Sequence, residues 1–144
     1  MAYHYHGSPL GRLEHRGKKP DQLVLSGYAA DGFPIYSQWG YSAPKAAGSP
    51  LKKLRSSYQL RTGERPGGEL GPGGPYDGTF DQDWEYVAGS RDLDQCNARF
   101  SITPEYPQGT YHYVITDTFP FISRYFRGAA PDQYFEKRRP PQRR

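Results

Sequence analysis

Tyr3-His4-Tyr5-His6 stands at the head of the chain, and a near copy, Tyr111-His112-Tyr113, returns toward its other end. Both segments have the make-up of β-strands: tyrosine and β-branched residues fit a half-buried pleated surface, and Gly7 and Gly109 stand at their ends. Side chains two apart share a face of a strand. His4 and His6 therefore point one way, with Tyr3 and Tyr5 on the reverse. From Gly109 to Ile115 the same rule groups Thr110, His112 and Val114 against Tyr111, Tyr113 and Ile115. The chain holds 4 histidines, and three of them lie in these two segments. If the two strands neighbour one another, three imidazoles gather on one face. Such a donor set suits zinc or, alternatively, copper, with a coordination position left for water or a fourth ligand. The plainer alternative is a pair of half-buried histidine strands that bond only to backbone.

Outward from the first segment, Gly7-Ser8-Pro9 turns the chain into a polar stretch over 10–22, where His15 faces solvent. Leu23-Val24-Leu25 fits a short buried strand, and Asp31-Gly32 between apolar runs predicts a hairpin whose second strand Pro34 confines to a sheet edge. Residues 37–78 read mostly as loop, with a helical turn at Leu51-Lys52-Lys53-Leu54 and a short extended piece at Tyr58-Gln59-Leu60. The glycine- and proline-rich block from Gly63 to Gly78 is a long surface loop. Trp84-Glu85-Tyr86-Val87 is a strand, Thr103-Pro104 and Pro107-Gln108-Gly109 are turns, and Thr116–Ile122 packs on the sheet. Short strands alternating with Gly/Pro turns predict a mainly β fold, a small sandwich or partly closed barrel with long Gly/Pro-rich loops.

The 144 residues make one domain. Apolar content is only 35%, so the 13 Tyr, 7 Phe and 2 Trp must supply much of the core. A bound ion would help such a core, because a ligand of the folded state alone stabilises it. The net charge of +4 resides in Glu136–Arg144, which carries five positive charges and one negative, so residues 1–135 sum to zero. A basic, disordered tail over 129–144 is therefore expected, and no nucleic-acid partner. A single cysteine excludes an intramolecular disulfide, and no run reaches the ~20 apolar residues of a membrane span.

With His4, His6 and His112 as metal ligands, Asp31 or Asp94 could serve as general base. For Asp31 the alternative is turn chemistry, and for Asp92 and Asp94 the capping of a turn. Asp92, Cys96 and Asn97 share one ligand-dense segment, and Asp117 could orient an imidazole or cap a loop. Cys96 could be a buried apolar residue, a thiolate ligand or a nucleophile. Tyr5 and Tyr36 could line a cleft and stack on a ring. No Gly-x-Ser-x-Gly elbow is present, and Gly71–Gly74 lacks the Lys-Ser/Thr of a phosphate loop.

These segments together resemble the YHYH domain family. The blocks that carry the likeness are Tyr3–His6, Gly27–Tyr36, Tyr76–Phe80, Asp92–Phe100, Thr103-Pro104-Glu105, Gly109–Tyr113 and Thr116–Pro120, covering about residues 3–128. Asp92-Leu93-Asp94-Gln95-Cys96-Asn97-Ala98-Arg99 is similar to the family's Asp-Leu-Asp-Glu-Cys-Asn-Gly-Arg, with Ala98 at the glycine. The resemblance implies a periplasmic or secreted location, because longer relatives often carry a signal peptide. With the motif at residue 3, the chain looks like a short form or truncation whose missing strand a homo-oligomer could supply. The likeness implies no reaction. From the residues, the expected function is a zinc-dependent hydrolase acting on an ester, phosphoester or amide in a small-molecule or polymer substrate. The alternative is a non-catalytic secreted module that binds zinc, copper or a polymer.

Overall fold

A computed structural model describes residues 17, 19 and 21–129 of the chain. Among the described residues eight short strands organise the fold: β1 (Leu25–Tyr28), β2 (Pro34–Tyr36), β3 (Trp39–Tyr41), β4 (Leu51–Lys53), β5 (Tyr58–Leu60), β6 (Trp84–Tyr86), β7 (Ala98–Ser101) and β8 (Thr110–Val114). Four of them make the central sheet in the order β1-β2-β8-β7, while β3-β4 and β5-β6 form two-stranded sheets beside it. The fold is mainly β, and its sheets do not close into a barrel.

The hairpin expected at Asp31-Gly32 joins β1 to β2. β8 then runs parallel to β2 and antiparallel to β7, with Ile35 and Ala98 both opposite Tyr113, Tyr36 opposite Val114, and Arg99 opposite His112. Register thus sorts the side chains into two faces. On one, Cys96, Ala98 and Tyr113 form a core with Ala29, Phe33, Ile35 and Tyr111. On the other lie Tyr36, His112, Arg99 and Val114, the last packed with Leu54 and Leu93.

Three local expectations change. Pro34 does not mark an edge, because β2 lies between β1 and β8. It occupies the first position of its strand, and the pairing with β8 begins at Ile35, so its missing N–H interrupts no ladder. Leu51-Lys52-Lys53 is extended, held against β3, and not a helical turn. The first strand starts at Leu25, with Val24 buried just before it and Tyr28 exposed at its end. The strand containing His4 and His6, His15, and the basic tail from residue 130 lie outside the described residues.

Candidate functional site around His112

His112 is fully buried in the middle of β8. Its Nδ1 lies 3.3 Å from the carbonyl oxygen of Thr110. A carbonyl can only accept, so Nδ1 carries the proton and Nε2 presents a lone pair. That Nε2 is buried and has no hydrogen-bond partner among the described residues. Burial pushes the imidazole pKa down to about 4 against the pull of the Thr110 carbonyl, and the Arg99 guanidinium pushes the same way as burial. The ring is therefore neutral at pH 7.

Its surroundings come from the two neighbouring strands. Tyr36 of β2 meets the imidazole edge-on, with ring centroids 5.0 Å apart. The Tyr36 hydroxyl lies 2.8 Å from Thr103 Oγ1 and donates to Glu105 Oε2 at 2.8 Å. With its one proton given to Glu105, it accepts from Thr103. Burial above all raises the Tyr36 pKa, so the phenol stays protonated. Arg99 of β7 is buried across the ladder and donates from Nη2 to the Tyr41 carbonyl at 3.0 Å, while its Nε has no partner among the described residues. Gly40 makes room for that guanidinium: a Cβ there would stand 2.5 Å from Nη2.

Asp31 and Asp94 belong to the opposite face, because Tyr111 and Tyr113 alternate with His112 along β8. Asp94 Oδ2 accepts from the Tyr111 hydroxyl at 2.7 Å, and its Oδ1 accepts from the N–H groups of Cys96 at 2.9 Å and Ala98 at 3.1 Å. Asp31 Oδ2 accepts from the Tyr113 hydroxyl at 2.5 Å and from Gly128 N–H at 3.0 Å. Burial first, and the carboxylates second, raise the pKa of both phenols. Both aspartates thus act as pins between loop and sheet. Cys96 is buried in the same core, and burial pushes its thiol pKa up, which favours the protonated thiol.

The remaining predicted residues are likewise engaged in hydrogen bonds within the fold. Asn97, at φ 53, donates from Nδ2 to the Val114 carbonyl at 2.8 Å and to Thr116 Oγ1 at 3.1 Å, fastening the start of β7 to the end of β8. Asp92 pairs with Lys52 and accepts from Arg55 N–H at 2.8 Å; burial raises its pKa, but these contacts more than offset it. Asp117 pairs with Lys53 and accepts from Gln38 Nε2 at 2.7 Å. Of the described site residues, then, only Tyr36 joins His112, and it is buried and lines no cleft. His4, His6 and Tyr5 lie outside the described residues. Among the described residues no group of three or more His, Cys, Asp or Glu could hold a metal ion, so a metal on His112 needs further ligands from elsewhere.

Sequence reasoning missed Arg99, Thr103 and Glu105 as neighbours of this site. All three stand in segments that carry the family likeness, yet only the β7–β8 register and the return of the 103–105 turn to Tyr36 bring them here. The family model described as YHYH protein matches residues 1–128. No curated protein and no solved structure matches the chain.

Proposed function

The chain belongs to the YHYH protein family, and from the surroundings of His112 we propose that it is a metal-binding domain, with zinc as the first candidate and copper as the second. His112 Nε2 is the proposed first ligand, with His4 and His6 as its companions. One observation carries this: a buried imidazole whose Nδ1–H is tied to a backbone carbonyl while Nε2 has no partner among the described residues. A ligand histidine needs that tautomer, held by that kind of bond. A pKa near 4 keeps the lone pair free at neutral pH. Arg99, whose Nε–H has no partner among the described residues, lies on the same face and suits an anion beside the metal.

A second function, hydrolysis, is favoured by one contact. Glu105 is a carboxylate on the His112 face, joined to the site through the Tyr36 hydroxyl. The role of base then passes from Asp31 and Asp94, which are engaged on the far face, to Glu105. Zinc would supply an acidified water for attack on an ester, phosphoester or amide.

Elemental analysis of the full chain, purified from medium containing zinc and copper, tests the proposal. The parent and a His15→Ala control are expected to carry near-stoichiometric metal, with His4→Ala and His112→Ala depleted of it. Equal metal in all four, or none in the parent, overturns the metal site. Glu105→Gln then separates the two functions: hydrolysis of chromogenic esters or phosphoesters by the parent that is lost with metal retained supports the hydrolase. A metal-loaded parent without turnover leaves a binding module.

A further inference from the structure

The β5–β6 hairpin sets Tyr58, Leu60, Trp84 and Tyr86 on one face. Two hollows share Tyr58 and Trp84 as their common wall. One, of about 570 Å³, is lined by Lys53, Arg55 and Arg91 with Gln38 and Gln59. The other, of about 480 Å³, is lined by Arg61, Tyr86, Gln95 and Tyr125. The carboxylates in the two linings are Asp117 and Glu85. Lys53 is matched by Asp117, and Arg55 stands 3.8 Å from an Asp92 already held by Lys52. Arg61 and Arg91 form no ion pair among the described residues, and both are exposed. The two linings together hold four cations, Lys53, Arg55, Arg61 and Arg91, against the two carboxylates Asp117 and Glu85, so in a chain whose residues 1–135 sum to zero charge the positive excess is local.

The aromatic wall is firmly set. Trp84 stacks on Phe119, with centroids 5.0 Å apart and planes 6° from parallel, and the Tyr58 hydroxyl donates to the Gln95 carbonyl at 2.9 Å. We propose that this double hollow is a binding groove for an acidic oligosaccharide, a chain of sugars bearing carboxylates. Guanidinium forks take carboxylates in a bidentate way, glutamine amides suit hydroxyls, and aromatic rings offer an apolar wall with a polar tip to the carbohydrate faces. A single-stranded nucleic acid fits less well. It presents a phosphate at every nucleotide and wants a continuous cationic track, whereas the guanidinia without an ion pair stand one in each hollow, in linings that also hold Asp117 and Glu85. The groove is lined by none of the residues around His112, so this inference stands apart from the metal site.

Calorimetric titration of the full chain with oligogalacturonate tests it, alongside the fully methyl-esterified oligomer and an oligo-dT strand. The free acid is expected to bind and the ester not to. The double variant Arg61→Ala/Arg91→Ala should weaken binding about tenfold, as expected for two exposed charge contacts. The lysine pair Arg61→Lys/Arg91→Lys should fall between that variant and the parent. Neutralising the tail with Arg138→Gln, Arg139→Gln, Arg143→Gln and Arg144→Gln should leave binding in place, as should EDTA. Near-UV circular dichroism checks that each variant is folded. The groove is overturned by a parent that does not bind the acid, by equal affinity for the ester or for oligo-dT, by unchanged affinity in the folded alanine pair, or by loss of binding with the tail charges.

Discussion

His112 shows what a neutral buried imidazole requires: a carbonyl for one nitrogen, a desolvated cavity, and a nearby cation that discourages protonation. Its linkage to pH follows. The ordinary histidine value is about 6.5 and the folded value about 4, so as pH falls the unfolded chain takes up the proton first. The stability His112 contributes is present above pH 6.5 and drains away as pH falls to 4, by roughly 3 kcal/mol at most. Urea denaturation of EDTA-treated protein at pH 7 and pH 4.5 should show this loss in the parent and little of it in His112→Gln. The depressed carboxyls Asp77, Asp83, Asp92 and Asp117 add their losses only as pH falls below the ordinary carboxylate value. A parallel decline in both proteins over that window would contradict the assignment. Asp94 makes the complementary case. It receives three hydrogen bonds that close the turn before β7, so Asp94→Ala should cost about 2–4 kcal/mol. Metal content should not change. Loss of metal in a folded Asp94→Ala protein would return the residue to the site.

At the scale of the element, β8 was readable because five residues are enough for a two-residue period, and the predicted split of Thr110, His112 and Val114 from Tyr111 and Tyr113 matches the two faces. β4 was not, since three residues of the form Leu-Lys-Lys have no period to read, and only its pairing with β3 makes them a strand. The roles of the carboxylates were hidden for a related reason. Asp31 looks like turn chemistry until Tyr113, far along the chain, is seen to donate to it. Nothing in the local sequence around Arg99 announces that it lies opposite His112, because register is a property of two strands. Gly40 joins β3 to that pair. An alanine there would bring Cβ to 2.5 Å from Arg99 Nη2 and 2.9 Å from Leu54 Cδ1, both in a packed interior. Gly40→Ala should therefore destabilise by about 1–3 kcal/mol, the usual cost of overpacking. It should also shift the Arg99 guanidinium, visible as a changed His112 titration by NMR. An alanine variant as stable as the parent would mean that the β3 loop yields without cost.

At the scale of the molecule, the two small apolar clusters among the described residues cannot by themselves order so many loops, and buried polar pins do much of the fastening. The glycine- and proline-rich segment 63–78 is the clearest instance. It pairs with itself at Glu64 and Pro75, and Arg65 draws it together. The guanidinium donates to the Gly73 carbonyl at 2.9 Å, to Asp77 Oδ1 at 3.1 Å and to Asp83 Oδ2 at 2.7 Å, and lies over the Phe80 ring at 4.8 Å. Asp83 is fully buried and accepts in addition from Gly78 N–H at 3.0 Å and Phe80 N–H at 3.2 Å. Burial would raise its pKa, but Arg65 and these N–H groups more than offset that and hold the carboxyl below its ordinary value. Removing the cation leaves that buried charge without its partner, which is far worse than removing both. Arg65→Ala should therefore open the loop, and a protease that cleaves within 63–78 should cut it several-fold faster than in the parent, as for any segment whose local opening becomes easier. The double change Arg65→Met/Asp83→Leu should recover part of the protection, since the uncompensated charge is gone. Equal cleavage of parent and Arg65→Ala would show that the 64–75 bridge alone holds the loop. Because Arg61 and Trp84, which line the proposed groove, flank this loop in sequence, oligogalacturonate binding should weaken in Arg65→Ala in step with the loss of protection.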